Sequence, residues 1–321
     1  MKPFAYARGT SLEDVVVVLD EACRPLAGGT DLLGLMKADL SAPERLVDVR
    51  TLSCLDVITA AENGLHVGAV VTLSRLAKAV DGRADIACLR EAIVGTASPQ
   101  LRHVATIAGN LVQQPRCWYY RNKEVPCWRK GGNRCFAVQG DNTYHTILGR
   151  SPCHAVHPSD PAVVLLALDA EVLLVGPDAS RRMPLREFYR LPDRASRQDH
   201  VLAANELITE IVIPAQPTGT RSVYVKVAER SSWDFALVSA AVVVVMDGDC
   251  VRRASIALGG VAPVPWRAEA AEQALAGQAL SAGVIDAAAQ AATEGARPMS
   301  KNGYKIDLVH GAVREALRRL S

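Results

Sequence analysis

"LAGGTDLLGLMK", residues 26–37, sets two adjacent glycines, Gly28 and Gly29, between a short strand-like run and a helix-like one. Glycine has no Cβ, so such a turn lets the backbone approach a ligand closely. The N–H groups at its end are then available to a phosphate or diphosphate. Two familiar phosphate loops are excluded. No Gly-Lys-Ser/Thr follows, as a Walker loop needs, and Gly28, Gly29 and Gly34 do not have the G-x-G-x-x-G spacing. Taken alone, the stretch reads first as a tight structural turn, with a phosphate cradle as the competing reading.

Two later segments bear on that choice. "ATIAGNLVQ" (105–113) is a second small-residue turn, where Thr106, Gly109 and Asn110 offer a hydroxyl, backbone donors and an amide. "HPSDPAVVLLALDA" (157–170) puts Ser159 and Asp160 just ahead of a helical run, where either can act as its cap.

Around these turns the apolar periodicity predicts the elements. "TSLEDVVVVLDEA" reads as a helix capped by Ser11, "TLSRLAKAV" and "ACLREAIVGTAS" as helices, and "LDVITAAENGLHVGAVV" as a hairpin about Asn63-Gly64. "DPAVVLLALDAEVLLVGP" gives a helix and then a strand. The passage from "LPDRASRQDH" to "IPAQPTGTRS" (191–222), rich in Pro, Thr, Ser and Arg, reads as looser and polar, with a domain boundary near its end at about Gly219. Beyond it, "SVYVKVAER" and "FALVSAAVVVVMDGDCVRRASIALGGV" predict strands with a hairpin at Asp247-Gly248. Three amphipathic helices follow, so the second domain is α+β, strands first and helices after.

Composition narrows the function classes. A chain of 321 residues with 49% hydrophobic and 22% charged residues is an ordinary globular protein of two-domain size. Its 36 Lys+Arg nearly balance 34 Asp+Glu, which argues against a nucleic-acid partner. The longest apolar stretch, 235–246, is too short and too β-branched for a membrane helix and reads as a buried strand. The N-terminal residues lack the features of a secretory signal. The expected compartment is therefore the cytoplasm, or the periplasm by co-export with a signal-bearing partner. In a reducing compartment, clustered cysteines favour metal or redox chemistry over disulfides.

The cysteines are clustered. "RCWYYRNKEVPCWRKGGNRC" (116–135) carries Cys117, Cys127 and Cys135, and Cys153 follows, so half of the eight cysteines fall in one aromatic, basic segment. The intervening counts of nine, seven and seventeen residues lack the C-x-x-C pairs of structural zinc and differ from ferredoxin runs. Spacing leaves zinc, an iron–sulfur cluster and unrelated buried thiols all open. Arg116, Arg121, Lys123, Arg129, Lys130 and Arg134 suit an anionic metal centre of either kind, or simply a solvated basic loop. His145, His154 and His157 are read as surface or hydrogen-bonding residues in preference to ligands. Trp118, Tyr119, Tyr120 and Trp128 are read as shielding the thiols. Cys23, Cys54, Cys88 and Cys250 are read as small buried hydrophobes.

Taken in order, "AGGTDL", "SPQLRHVATIAGNL", "SDPAVVLLALDA", "NELITEIVIP" and "YVKVAERSSWDFALVSAAV" resemble the FAD-binding medium subunit of the molybdenum hydroxylases, the xanthine dehydrogenase family. Ala108 stands where that family usually has glycine. At Thr96, some xanthine-oxidising relatives place an aromatic against the flavin. The resemblance implies an α+β fold: a two-part FAD-binding domain, residues 1–219, followed by an α+β C-terminal flavoprotein domain, 220–321, with an antiparallel sheet and helices. It further implies that Leu26, Ala27, Gly28, Gly29, Thr30, Asp31 and Leu32 wrap the pyrophosphate and ribose, with Thr106, Gly109 and Asn110 on the other side. Asp160 would take a hydroxyl of the adenosine half or ribityl chain, and Ile208 and Lys226 would lie near the flavin. Lys226 has an equal competing reading as a solvated strand residue.

Most members of that family run directly from the second turn to the Ser-Asp segment; here residues at about 114–156 are inserted. The pattern "QQPRCWYYR…PCW…C…HTILG…CHAVHPSD" is similar to aldehyde oxidoreductase flavin subunits with an extra 4Fe–4S cluster. The subunit of 4-hydroxybenzoyl-CoA reductase spaces its cysteines differently; Thr143 or Tyr144 stands near its third ligand, while Cys127 supplies a thiol it lacks. The resemblance thus implies Cys117, Cys127, Cys135 and Cys153 as cluster ligands and favours the aldehyde-oxidising branch over a xanthine dehydrogenase. It implies no catalytic acid or base in this chain. A large molybdenum-cofactor subunit and a small 2Fe–2S subunit would be its partners in a heterotrimer, with electrons leaving through FAD to an external acceptor. A self-sufficient flavin oxidase and a zinc-stabilised scaffold without flavin are the competing classes.

Overall fold

The structure is a computed structural model describing residues 1–321. The chain opens with β1 (Ala5–Arg8), α1 (Leu12–Val18), β2 (Cys23–Leu26), α2 (Leu32–Lys37) and β3 (Arg45–Asp48). The three strands form a small parallel sheet in the order β1-β3-β2, so both crossovers are helical, as parallel pairing demands. Ser11 caps α1, its Oγ accepting from Asp14 N at 3.1 Å. Val15, Val16 and Leu19 of this segment pack on Val47 and Val49 to give the layer its own core.

A five-stranded sheet follows. β4 (Ile58–Ala61) and β5 (Gly64–Gly68) form the expected hairpin, and α3 (Leu73–Ala79), α4 (Ala87–Val94), α5 (Pro99–Arg102) and α6 (Ile107–Leu111) lead into the inserted segment. That segment holds one helical turn, α7 (Trp118–Arg121), and little other regular structure before α8 (Asp160–Ala167). β6 (Glu171–Val175), β7 (Ser180–Pro184), α9 (Leu185–Phe188) and β8 (Leu207–Pro214) complete the sheet in the order β4-β5-β8-β6-β7. All eight residues of α8 are buried, which explains an apolar run with no polar face.

The passage 191–222 is more ordered than its looser, polar composition suggests. It contains β8, the central strand of this sheet, and it buries Asp199 and His200. Asp199 is tolerated inside because the Arg129 guanidinium of the inserted segment lies 3.1 Å from it, with both side chains almost wholly enclosed. Polar composition there marks a buried ion pair, not a loose tether.

The second domain is an antiparallel sheet, β9 (Thr220–Val227), β10 (Val238–Asp247), β11 (Cys250–Gly259) and β12 (Trp266–Arg267), followed by α10 (Glu269–Leu275), α11 (Ala282–Ala291) and α12 (Tyr304–Arg318). β10 is the apolar stretch read from the sequence. It is covered by α4 and α8 on one side and α12 on the other, so both of its faces are apolar. No helix is long and apolar enough to cross a membrane.

Candidate functional site

The first glycine turn is folded against the second. A Cβ on Gly28 would lie 2.2 Å from the carbonyl oxygen of Val104, so only glycine permits this contact between residues 28 and 104–105. Gly29 takes a left-handed φ of +68°. The second turn is fixed from below: Leu73 N donates to Ala105 O and Ile107 N donates to Val71 O, bridging Thr72 to Thr106.

This geometry leaves donors free. None of the backbone N–H groups of Gly28, Gly29, Thr30, Asp31 and Leu32 finds an acceptor within the chain, and neither does that of Gly109. Backbone donors are paired almost everywhere in proteins, so five consecutive free ones at a cleft form a ready nest for an anion. The cleft has a volume of about 410 Å³, and Ala27 to Leu32, Thr106, Gly109, Asn110 and Ile208 all line it. Leu26, at the end of β2, does not. Ala108 lines the cleft as well, its methyl mostly covered. The residues therefore fit a dinucleotide diphosphate: a Cβ-free approach, unpaired amides and a cavity in one place.

A second cavity of about 290 Å³ adjoins the first, and Arg116 lines both. Between them Ser159 Oγ donates to Asn110 Oδ1 at 2.6 Å while accepting from Ala162 N at 3.0 Å, so the cap of α8 also ties α8 to the second turn. Asp160 lines this second cavity, and its carboxylate is already engaged. It accepts from Tyr224 Oη at 2.6 Å, Lys226 Nζ at 2.7 Å and Thr96 Oγ1 at 3.2 Å. Lys226 Nζ also donates to Gly95 O at 2.9 Å and Asp234 O at 2.8 Å, which occupies all three of its N–H donors. Lys226 lines neither cavity; its side chain is largely covered, and it anchors the two domains to each other. Burial, and then the Asp160 carboxylate, hold the Tyr224 hydroxyl well above its ordinary pKa, so it remains a donor.

The cysteine segment contains surprises. Cys127 and Cys153 are buried, and Cys117 and Cys135 half-buried. Cys117 Sγ lies 3.2 Å from His145 Nε2, and Cys117, Trp128 and Cys153 share a small apolar cluster. Burial pushes the Cys117 thiol up to about 12, and the proximity of Cys153 and Cys135 adds to the rise. Burial also raises Cys153, against the pull of Arg129. Yet no three His, Cys, Asp or Glu side chains converge as a metal site does. The donor chemistry suits a soft metal centre, whereas the arrangement of the chain as it stands does not assemble one. His145 and His157 are buried and take the hydrogen-bonding alternative of their reading, not the surface one. His145 Nε2 lies 3.2 Å from Cys117 Sγ and His157 Nδ1 accepts from Ser159 N at 3.4 Å, and burial lowers each to about 4. Of the thiols outside the segment, Cys23 and Cys88 are buried as expected, while Cys54 and Cys250 are exposed. Cys54 sits in a surface 3₁₀ turn, and Cys250 directly after a hairpin turn.

Several contacts at or beside the two cavities were not foreseen from the sequence. Arg116 and Tyr120 line the dinucleotide cleft, although their place beside Cys117 suggested service to the thiols alone. Tyr224 and Thr96 reach Asp160 across 64 residues each, a separation no local pattern reveals.

Comparison with known proteins agrees with this architecture. Residues 2–216 match the family described as the FAD binding domain in molybdopterin dehydrogenase, and residues 223–320 the CO dehydrogenase flavoprotein C-terminal domain. The aldehyde oxidoreductase FAD-binding subunit PaoB of Escherichia coli K12 is 38% identical over 280 residues, 86% of each chain. The carbon monoxide dehydrogenase medium chain of Afipia carboxidovorans is 30% identical over 323 residues, 98% of this chain and 96% of that one. Among solved structures, a reconstituted CO dehydrogenase from Oligotropha carboxidovorans superposes with a TM-score of 0.78 at 28% identity, covering 99% of this chain and 98% of the other.

Proposed function

This chain belongs to the FAD-binding medium subunits of the molybdenum hydroxylase family, and from that premise we propose that it is the electron-transfer subunit of a molybdenum-dependent aldehyde oxidoreductase. The observation that carries FAD is the run of free amides from Gly28 to Leu32, facing the Thr106–Asn110 turn across one cleft. These amides, with Gly109, would hold the diphosphate, and Thr106, Asn110 and Ile208 would flank the rest of the dinucleotide. Bound FAD supplies the exchange of single electrons with iron–sulfur centres and of electron pairs with an acceptor. The chain's own task is to bind, orient and shield. The Asp160–Tyr224–Lys226 knot fixes the wall of the adjoining cavity and does not itself move a proton.

The aldehyde branch is supported by the likeness to PaoB over most of both chains. In this reading a large molybdenum-cofactor subunit oxidises the substrate, a small subunit with 2Fe–2S centres delivers the electrons, and an external acceptor removes them. In the same reading Cys117, Cys127, Cys135 and Cys153 would be the ligands of a 4Fe–4S cluster, whose insertion has to draw the four thiols together from the arrangement described above. Four thiols in one inserted segment support this, as does Arg129, a buried cation that pulls on Cys153. Anaerobic purification of the full chain, with flavin, iron, sulfide and zinc analysis and low-temperature EPR, tests both parts. The expected result is one FAD with about four iron and four sulfide per chain, and no aldehyde turnover without partners. Zinc in place of iron would refute the cluster, and robust turnover by the chain alone would refute the division of labour.

A further inference from the structure

The inserted segment reaches into the dinucleotide cleft. Asp31, in the first glycine turn, accepts from Arg116 Nη1 at 2.6 Å, Arg121 Nη2 at 2.8 Å and Gln114 N at 2.8 Å. All three donors come from one short stretch of the insertion, and Asp31 is largely covered. The guanidinium of Arg116 also donates to Gln113 Oε1 at 2.9 Å and lies over the Phe235 ring, 5.1 Å from its centre. Arg116 is therefore fixed at the junction of the two cavities by partners from both domains.

Its donors are not exhausted. An arginine has five N–H groups, and two of them have acceptors here; Nε is buried with none. The charge is not exhausted either. Asp31 with Arg116 and Arg121 leaves one net positive charge; Arg24 also lines the cleft but has Glu21 at 3.8 Å as a partner. The other carboxylate on the lining, Glu206, is taken by a bidentate contact from Arg181. A cleft with an uncompensated cation beside unpaired amides matches a ligand bearing about two negative charges on a diphosphate.

Resting on the assignment of FAD to this cleft, we propose that the inserted segment is part of the flavin site: Arg116 is a diphosphate-binding residue, and Arg121 holds it in place through Asp31. The segment read as a metal loop thus also serves as a cationic clamp on the cofactor, one that a chain running directly between the flanking motifs would lack.

The test titrates the flavin-free full chain with FAD and with ADP, which carries the diphosphate but no isoalloxazine. Arg116→Gln is expected to weaken both ligands by the same factor, on the order of tenfold or more, as for a lost charge-assisted bond. Arg121→Gln leaves every cleft-lining side chain in place and is expected to weaken both by a smaller factor, about threefold. Wild-type affinity for both ligands in Arg116→Gln overturns the proposal, as does weakening of FAD with ADP unaffected. If Arg116→Gln does not fold, unchanged affinity in Arg121→Gln and Arg116→Lys together overturns it. A wild-type chain that binds neither ligand refutes the FAD assignment itself, which separates the two failures.

Discussion

A methyl group at Gly28 would meet the Val104 carbonyl oxygen at 2.2 Å, while one at Gly34 would meet nothing within 4 Å. These two glycines of one twelve-residue stretch should therefore behave oppositely. Gly28→Ala is expected to force the turns apart, lowering stability by about 1–3 kcal/mol and flavin content with it. Gly34→Ala lies inside α2 and should be neutral or stabilising by up to about 1 kcal/mol. Thermal melts and flavin release on both variants check the pair, and equal effects would contradict the packing described. Asp160 and Lys226 give a second contrast. Their ion pair is enclosed, so Lys226→Met should cost about 3–5 kcal/mol in denaturant unfolding by stranding a buried carboxylate; a change under 1 kcal/mol would count against it. The glycine pair was legible as a tight strand–helix turn, and as a cradle only together with the later motifs that share its order along the chain. The partners of Asp160 were not, since Tyr224 and Lys226 come from a strand of the other domain.

α12 shows how far periodicity carries and where it stops. Its amphipathic pattern predicts the helix, and Val309, Ala312, Val313, Ala316 and Leu317 are buried as that pattern requires. Lys305 breaks the rule: it is fully buried, with Nζ donating to Gly260 O at 2.7 Å and Tyr144 O at 3.1 Å and no carboxylate as a partner. Burial lowers it to about 7. In the unfolded chain a lysine titrates near 10.4. Between these values the unfolded state holds the additional proton, so wild-type stability should gain on Lys305→Met as pH rises from 7 to 10. The gain is at most about 1.4 kcal/mol per pH unit. Below pH 7 the full penalty of the buried charge is present and the difference should level off. Unfolding of both proteins at pH 6 and pH 9 measures this, and a pH-independent difference would contradict it. Passage 191–222 was misread for a related reason: composition cannot show that Asp199 has Arg129 opposite it. The cysteine segment, almost without regular secondary structure, gives periodicity nothing to act on.

Across the whole molecule, the family matches break between residues 216 and 223, yet the largest core continues through that point. Tyr224, Ala241, Val243, Ala257 and Val264 pack with α4 and α8 in a single cluster, and Arg267 reaches Asp169 at 2.8 Å. The two domains are therefore expected to unfold together, as one calorimetric transition; two resolved transitions would show the shared core to be weak. The order of motifs along the chain made the two-domain flavoprotein fold readable, because each turn keeps its place relative to the sheets. The resemblance implied that the turns converge, while the contact that brings them together, Gly28 against Val104, is tertiary packing with no local signal. The account rests on that convergence producing a dinucleotide site. Its most direct test is the amount of FAD released from the purified, denatured full chain after saturation with FAD and removal of the excess. One FAD per chain is predicted; a chain that retains none, although folded, would contradict the account.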